Sequence, residues 1–123
     1  MRIEYLRLGL TAALAVVLGL GLMADRPTEQ KASSGHLLFL STGCIGCHRT
    51  EDTSPTAEIG PSLIGLADRA GSRVPGLLAV EYVTQSIRQP QSFTVPGYGF
   101  DTMPTFDLTD AEVDSLVEYL LAG

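Results

Sequence analysis

Apolar and polar residues are distributed unevenly along the 123-residue chain and divide it into three parts. Residues 8–24 form a run without a charged side chain, and residues 25–34 are mostly polar. In residues 35–123 apolar side chains recur at the spacing of α-helices, and no run has the two-residue alternation of a strand. The pattern predicts an N-terminal membrane segment over residues 1–24, a linker over 25–34 and an all-α domain over 35–123.

Three helices are expected in the domain, and the first two have simple end signals. Residues 35–43 form the first, with Ser33 or Ser34 as its N-cap and a glycine at its end. Residues 77–89 form the second, which Pro90 would end. One side of this second helix is expected to contain Val80, Val83, Ser86 and Ile87.

The last helix has the clearest start. Thr109 and Glu112 have the spacing of a capping box, in which each side chain bonds the backbone N–H of the other residue. The apolar residues that follow fall on one helical face. This stripe comprises Val113, Leu116, Val117, Leu120 and Leu121.

Residues 1–24 are expected to be a membrane anchor, with a cleaved signal peptide as the alternative. The uncharged run of 17 residues lies between the roughly 17–25 that span a bilayer and the roughly 7–15 of a signal peptide. Cleavage after Ala24 would place Leu22 where a small residue is preferred. Arg2 and Arg7 precede the run and would stay in the cytoplasm. We therefore expect a single pass through a bacterial cytoplasmic membrane, with the domain on the periplasmic face.

Charge excludes one class of partner. Residues 25–123 contain 6 of the 8 basic residues and 13 of the 14 acidic residues, which gives them a formal net charge of −7. Nucleic-acid binding requires the opposite sign. Binding to DNA or RNA is therefore not expected.

The strongest chemical signal is the C-x-x-C-H motif of residues 44–48, which is the attachment signature of a c-type haem. The thiols of Cys44 and Cys47 can form thioethers with the two haem vinyl groups, and His48 can bind the iron. A zinc finger would need a different histidine spacing, and a thioredoxin-like motif would follow a strand. A plain disulfide would leave the histidine unexplained. The motif predicts one covalent haem c and, with it, an extracytoplasmic location.

Met103 is the expected second axial ligand. Met1 is the initiator and Met23 lies in the apolar run, so Met103 is the one methionine left in the domain. It lies in a glycine-rich loop that Pro104 stiffens, and a thioether on the iron would favour the ferrous state. If Met103 were only core filler, the iron would be five-coordinate, and the protein would be a haem sensor or enzyme.

The order of these motifs resembles that of the class I monohaem cytochromes c. The features are the haem motif, Gly60-Pro61-x-Leu63, Met103-Pro104 and a C-terminal Leu116-x-x-Tyr119-Leu120. The resemblance implies a one-electron carrier rather than an enzyme, with an α-helical fold wrapped around one haem. It implies that Gly35 and Phe39 pack against Leu116 and Tyr119. It also implies that the Pro61 carbonyl bonds the ligand histidine and that Leu63 lies at the haem.

A narrower likeness concerns partners. Residues 82–90 and 95–98, which come before Met103-Pro104, are similar to segments of cytochrome domains attached to bacterial haem–copper oxidases and of alternative complex III cytochrome subunits. The expected partners are membrane redox complexes: a quinol-oxidising complex, a terminal oxidase or a photosynthetic reaction centre. The chain would be a tethered carrier or a fixed subunit of a larger complex.

The sequence departs from the family in two respects. The single lysine, Lys31, lies in the linker, so docking through a ring of lysines around the haem edge is not expected. The domain also has no tryptophan to bond a haem propionate, a role that Arg69, Arg73 or Tyr98 could take. We therefore include Arg69 and Tyr98 among the expected haem-binding residues.

Overall fold

The computed structural model describes residues 27–55 and 59–123. Within these ranges the chain forms the α-helices α1 (Pro27–Ser41), α2 (Leu66–Ala70), α3 (Ala79–Arg88) and α4 (Asp110–Leu121). Short 3-10 turns occur at Cys44–Gly46 and Pro90–Ser92, and none of the described residues is in a strand. The prediction of an all-α domain is confirmed for these residues. None of the described helices is long and apolar enough to span a bilayer, and the expected anchor lies outside the described residues.

α1 begins eight residues earlier than predicted, so residues 27–34 of the expected linker are helical. Proline suits the first helical turn because its missing N–H would have no intrahelical partner there. Ser33 and Ser34, the expected N-caps, lie inside the helix. Their hydroxyls donate to the carbonyls of Glu29 and Gln30 at 2.9 and 3.0 Å. Serines that bond the preceding turn do not start a helix, which explains why the predicted start is wrong.

α1 and α4 cross in close contact at Gly35. A Cβ atom on Gly35 would lie 2.0 Å from the carbonyl oxygen of Ser115 and 2.6 Å from Cβ of Tyr119. Phe39 is 1% exposed, and the centroids of its ring and the Tyr119 ring are 5.8 Å apart. Leu116, also 1% exposed, belongs to the same buried core. The expected contact between the first and last helices is confirmed.

Tyr119 extends this contact in two directions. The His36 ring, which sequence alone suggests is at the surface, is half-buried and stacks on the Tyr119 ring with centroids 5.1 Å apart. The Tyr119 hydroxyl lies 3.2 Å from Oγ1 of buried Thr50. Burial is the main cause that raises the pKa of the Tyr119 hydroxyl above its ordinary value. α4 therefore holds both α1 and the segment that follows His48.

The start of α4 has the predicted capping box. The Thr109 hydroxyl oxygen accepts from the Glu112 N–H at 3.3 Å, and the Glu112 carboxylate accepts from the Thr109 N–H at 2.8 Å. Hydrogen bonds from Thr109 lower the pKa of the Glu112 carboxyl. In the predicted stripe Val113, Leu116 and Val117 are buried, and the last two leucines are partly buried.

The two middle helices differ from the prediction in their bounds and in which side chains face the core. α2 buries Leu66 and Ala70, and it overlaps residues 68–73, which the sequence suggests form a polar turn. α3 is shorter than residues 77–89 and buries Tyr82, Val83 and Ile87. Val80 is 57% exposed, contrary to the prediction, because Ala79 packs against the core in its place.

We expect Gly35→Ala to lower the free energy of unfolding of the haem-loaded protein by about 1–3 kcal/mol, because the new methyl group overlaps α4. At an exposed helical position the same change would raise the free energy of unfolding by about 1 kcal/mol. A decrease would therefore indicate the steric overlap with α4. Denaturant unfolding measures the difference. Ser34→Ala on the same helix is exposed and should stay within about 0.5 kcal/mol of the wild type. A Gly35→Ala protein as stable as this control would contradict the close crossing.

Candidate functional site

The C-x-x-C-H motif forms one tight turn directly after α1. Gly43 has a φ of 86°, a left-handed conformation that suits glycine and redirects the chain. The 3-10 turn Cys44–Gly46 follows, and the His48 N–H donates to the Cys44 carbonyl at 3.0 Å. As a result, Cys44, Cys47 and His48 all lie in the wall of one cavity.

The His48 ring is held in the form that a metal ligand requires. Its Nδ1 atom lies 2.8 Å from the carbonyl oxygen of Pro61. A carbonyl can only accept, so Nδ1 carries the proton and Nε2 keeps its lone pair. Burial lowers the pKa of His48, and this effect outweighs the Pro61 bond, which raises it. The ring is therefore a neutral imidazole whose Nε2 lone pair can bind a metal. The hydrogen bond expected between His48 and the Pro61 carbonyl is present.

Gly60 allows the Pro61 segment to approach His48. A Cβ atom on Gly60 would lie 2.6 to 2.9 Å from three atoms of the His48 ring. The Gly60 N–H donates to the Cys47 carbonyl at 3.0 Å, and the Leu63 N–H donates to the Arg49 carbonyl at 2.7 Å. Residues 60–63 thus lie along the end of the haem motif, which fixes the Pro61 carbonyl against the ring.

Arg69 does not lie in the cavity wall. Its guanidinium donates to the carbonyl of Ser62 at 2.5 Å and to the carbonyl of Ile64. The Arg69 side chain therefore packs on the loop that contains Pro61. Its expected bond to a haem propionate stays a prediction. Arg73, the other candidate arginine, also lies outside the cavity wall.

The cavity collects the remaining expected site residues. Its volume is about 250 Å³, far more than the roughly 10–15 Å³ that a cavity needs to hold one water molecule. Tyr98 lies in the wall and is 38% exposed, so it is at the rim. Half-buried Met103 is also in the wall. The expected residues brought together are Cys44, Cys47, His48, Pro61, Leu63, Tyr98 and Met103.

Other wall residues were not identified as site residues from the sequence. The helical stripes predicted which side chains face inward, but a stripe does not distinguish a core from a cofactor pocket. Gln91 had no signal at all, because it lies in a stretch expected to be an irregular loop. The apolar residues found in this way include Phe39, Val83, Ile87, Phe93, Phe106 and Leu116.

The donor atoms fit a covalently attached haem. Cys44 and Cys47 form no disulfide, so both sulfur atoms are available for thioether formation. The Nε2 atom of His48 and the sulfur of Met103 are the donor pair found in many cytochromes c. Most of the remaining wall is apolar, which suits a large hydrophobic macrocycle. The residues of the cavity can therefore hold a haem c and keep water from it.

Comparisons with known proteins agree with this geometry. A family model described as cytochrome c matches residues 32–123. The chain is also 30% identical over 109 residues to the cytochrome c oxidase subunit 2 of Alkalihalophilus pseudofirmus. That alignment covers 86% of this chain and 30% of the relative, so the chain spans less than a third of the relative's length.

The helices and the cavity define a haem-binding domain built on a C-x-x-C-H turn. The chain belongs to the cytochrome c family. It carries one covalently bound haem c at Cys44 and Cys47, with His48 next to them, and membership of this family supports haem-based electron transfer.

We expect Gly60→Ala to raise the midpoint potential of the haem, because the added methyl group would push the His48 ring away from the Pro61 carbonyl. A histidine that loses this bond is a weaker donor and stabilises ferric iron less. A loss on the order of 1 kcal/mol corresponds to about 40 mV for one electron. Redox titration of the purified protein measures the shift.

Gly71→Ala is the matched control for this experiment. A Cβ atom on Gly71 would lie 3.6 Å from its nearest neighbour, the Ala79 nitrogen, which is an ordinary contact. Its potential should equal that of the wild type. If both variants titrate like the wild type, the His48 ring does not depend on the space at Gly60.

Proposed function

We propose that the chain is a one-electron carrier of a respiratory or photosynthetic chain, with His48 and Met103 as the two axial ligands of its haem iron. The observation that carries the proposal is that a single, mostly apolar cavity contains Cys44, Cys47, His48 and Met103. The bound haem supplies the reversible iron(II)/iron(III) couple. The protein holds the histidine neutral, offers a thioether and keeps water away from the site.

Met103 is the best-supported second ligand. It is the one methionine among the described residues, and its side chain is half-buried in the cavity wall. A second protein ligand leaves no iron position for an external molecule, which favours electron transfer over gas sensing or catalysis. A thioether also raises the potential relative to a second histidine.

We expect Met103→Ala to abolish the weak near-infrared sulfur–iron band of the oxidised protein and to lower its midpoint potential. The reduced variant should also bind carbon monoxide, which the wild type should not. Thr105→Ala, an exposed neighbour in the same loop, is the control and should retain the band. If the wild type has no such band, the proposed second ligand is wrong.

The proposed partners are membrane redox complexes, with a quinol-oxidising complex as donor and a terminal oxidase or photosynthetic reaction centre as acceptor. The similarity to a protein named as a subunit of cytochrome c oxidase supports a respiratory partner. The same similarity favours a second candidate, in which the chain is a fixed subunit of an oxidoreductase complex.

Surface charge does not support docking through a broad positive face. The Lys31 and Glu118 side chains lie 3.6 Å apart, and the Arg88 guanidinium lies 2.5 Å from the Asp110 carboxylate. Exposed hydrophobic side chains at the cavity wall include Ile59 and Tyr98, and Phe100, which lies between two wall residues along the chain, is 72% exposed. Tethering to the membrane would raise the effective concentration of a partner without charge steering.

We propose that residues 1–24 provide this tether and keep the haem domain on the periplasmic face of a bacterial cytoplasmic membrane. The apolar run ends at Ala24 and α1 begins at Pro27. Three residues extend by at most about 11 Å. The start of α1 would therefore lie close to the end of a spanning segment, and the domain would stay near the membrane surface.

We expect protein purified from membranes to have the mass of the whole chain plus one haem under denaturing conditions, because the haem is covalent and the anchor is retained. Intact-mass spectrometry measures this, and subunits of a redox complex should copurify if the chain is a fixed component. A mass lacking about the first two dozen residues, the length of a typical signal peptide, would replace the anchor with a cleaved signal.

A further inference from the structure

The loop that carries Met103 has little structure of its own. Residues 99–107 contain a short turn at residues 100–101 and no helix or strand. Asp101, two residues before Met103, has a φ of 58° and is the one described non-glycine residue with a positive φ. This left-handed conformation is unfavourable for a residue with a Cβ atom, although aspartate tolerates it better than most. The loop therefore needs a contact from elsewhere to hold its shape.

Gln91 supplies that contact. It lies in the 3-10 turn Pro90–Ser92 that follows α3, and its side chain is partly buried in the cavity wall. Its Nε2 atom donates to Oδ1 of Asp101 at 2.8 Å and to the carbonyl oxygen of Met103 at 3.3 Å. A side-chain amide nitrogen has two hydrogens, so it can serve both acceptors at once.

We propose that Gln91 is a positioning residue that holds the Met103 sulfur at the haem iron through its bonds to the Asp101 carboxylate and the Met103 backbone carbonyl, one on each side of Thr102. This inference rests on the proposed ligation by His48 and Met103. One bond is to Asp101, the residue with a positive φ, and the other is to Met103, the proposed ligand. Both bonds therefore restrain the part of the loop that positions the Met103 sulfur. Loss of these bonds frees the loop and makes Met103 easier to displace.

The chemistry of the two acceptors requires an amide at residue 91. Both acceptors are oxygen atoms, and one belongs to a carboxylate. A glutamate of nearly the same shape would present only acceptors to them and would repel the Asp101 carboxylate. Gln91→Glu therefore tests the hydrogen bonds with almost no change in side-chain volume, whereas Gln91→Ala removes the whole contact.

Competition by imidazole for the iron of the oxidised haem-loaded protein tests the proposal. Imidazole must displace Met103, so its apparent affinity reports how firmly the loop holds the sulfur. We expect Gln91→Ala to bind imidazole about tenfold more tightly than the wild type, as expected for the loss of two hydrogen bonds, one of them to an exposed carboxylate. Gln91→Glu should show at least this effect, because it adds repulsion. The near-infrared sulfur–iron band is recorded in the same titration.

Gln89→Ala is the matched control. Gln89 is an exposed amide two residues away, and it accepts a hydrogen bond from the Ser92 hydroxyl at 3.2 Å without a bond to the Met103 loop. Its imidazole affinity should equal that of the wild type. A loss of general stability alone would change denaturant unfolding in the Gln91 variants without changing their imidazole affinity.

The outcomes distinguish this inference from the proposed function. If the wild type has the sulfur–iron band and both Gln91 variants bind imidazole within about twofold of it, well under the tenfold that two hydrogen bonds imply, the inference is overturned and the ligation stands. If the wild type lacks the band and binds imidazole without losing a protein ligand, the ligation is wrong and the inference with it. If Gln91→Ala yields too little haem protein, the near-isosteric Gln91→Glu decides the matter.

Discussion

The close contact of α1 and α4 at Gly35 is the constraint on which the haem site depends. The two helices approach so closely that a methyl group on Gly35 would overlap Ser115 and Tyr119. Because the C-x-x-C-H turn begins directly after α1, the position of Cys44 follows from this contact. α4 also supplies Leu116 to the cavity wall. One helix crossing therefore places the attachment motif and part of the pocket that faces it.

Two irregular loops determine the positions of the expected iron ligands: one bonds His48 and the other contains Met103. Each loop is held by a side chain from outside it. The Pro61 loop, which bonds His48, is held by the Arg69 guanidinium through two backbone carbonyls. The Met103 loop is held by the Gln91 amide through a carboxylate and a carbonyl. Irregular segments cannot satisfy their own backbone groups, so long polar side chains provide the partners that helices provide internally. In the Pro61 loop both contacts are to backbone carbonyls, and in the Met103 loop one contact is to a backbone carbonyl and the other to a side-chain carboxylate.

Features encoded by neighbouring residues could be predicted. The capping box at Thr109 depends on a residue three positions away, and the apolar stripe of α4 depends on helical spacing alone. The start of α1 could not be predicted in this way, because serine favours a cap and also bonds within a helix. Packing of this helix on α4 decides between the two. The exposure of Val80 is a similar case, since the helix can rotate slightly without changing its pattern.

The chemistry follows from the amino-acid sequence alone: the haem attachment at residues 44–48, the single methionine of the domain and the helical class of the fold. These follow from residue type and short spacing, which no tertiary contact alters. The polar residues that support the site are evident from the folded chain and not from its sequence. Arg69 was expected at the haem and lies on the Pro61 loop, and Gln91 had no sequence signal although it bonds the Met103 segment. The partner of a long polar side chain depends on which loop folds beside it, and local sequence does not encode that neighbour.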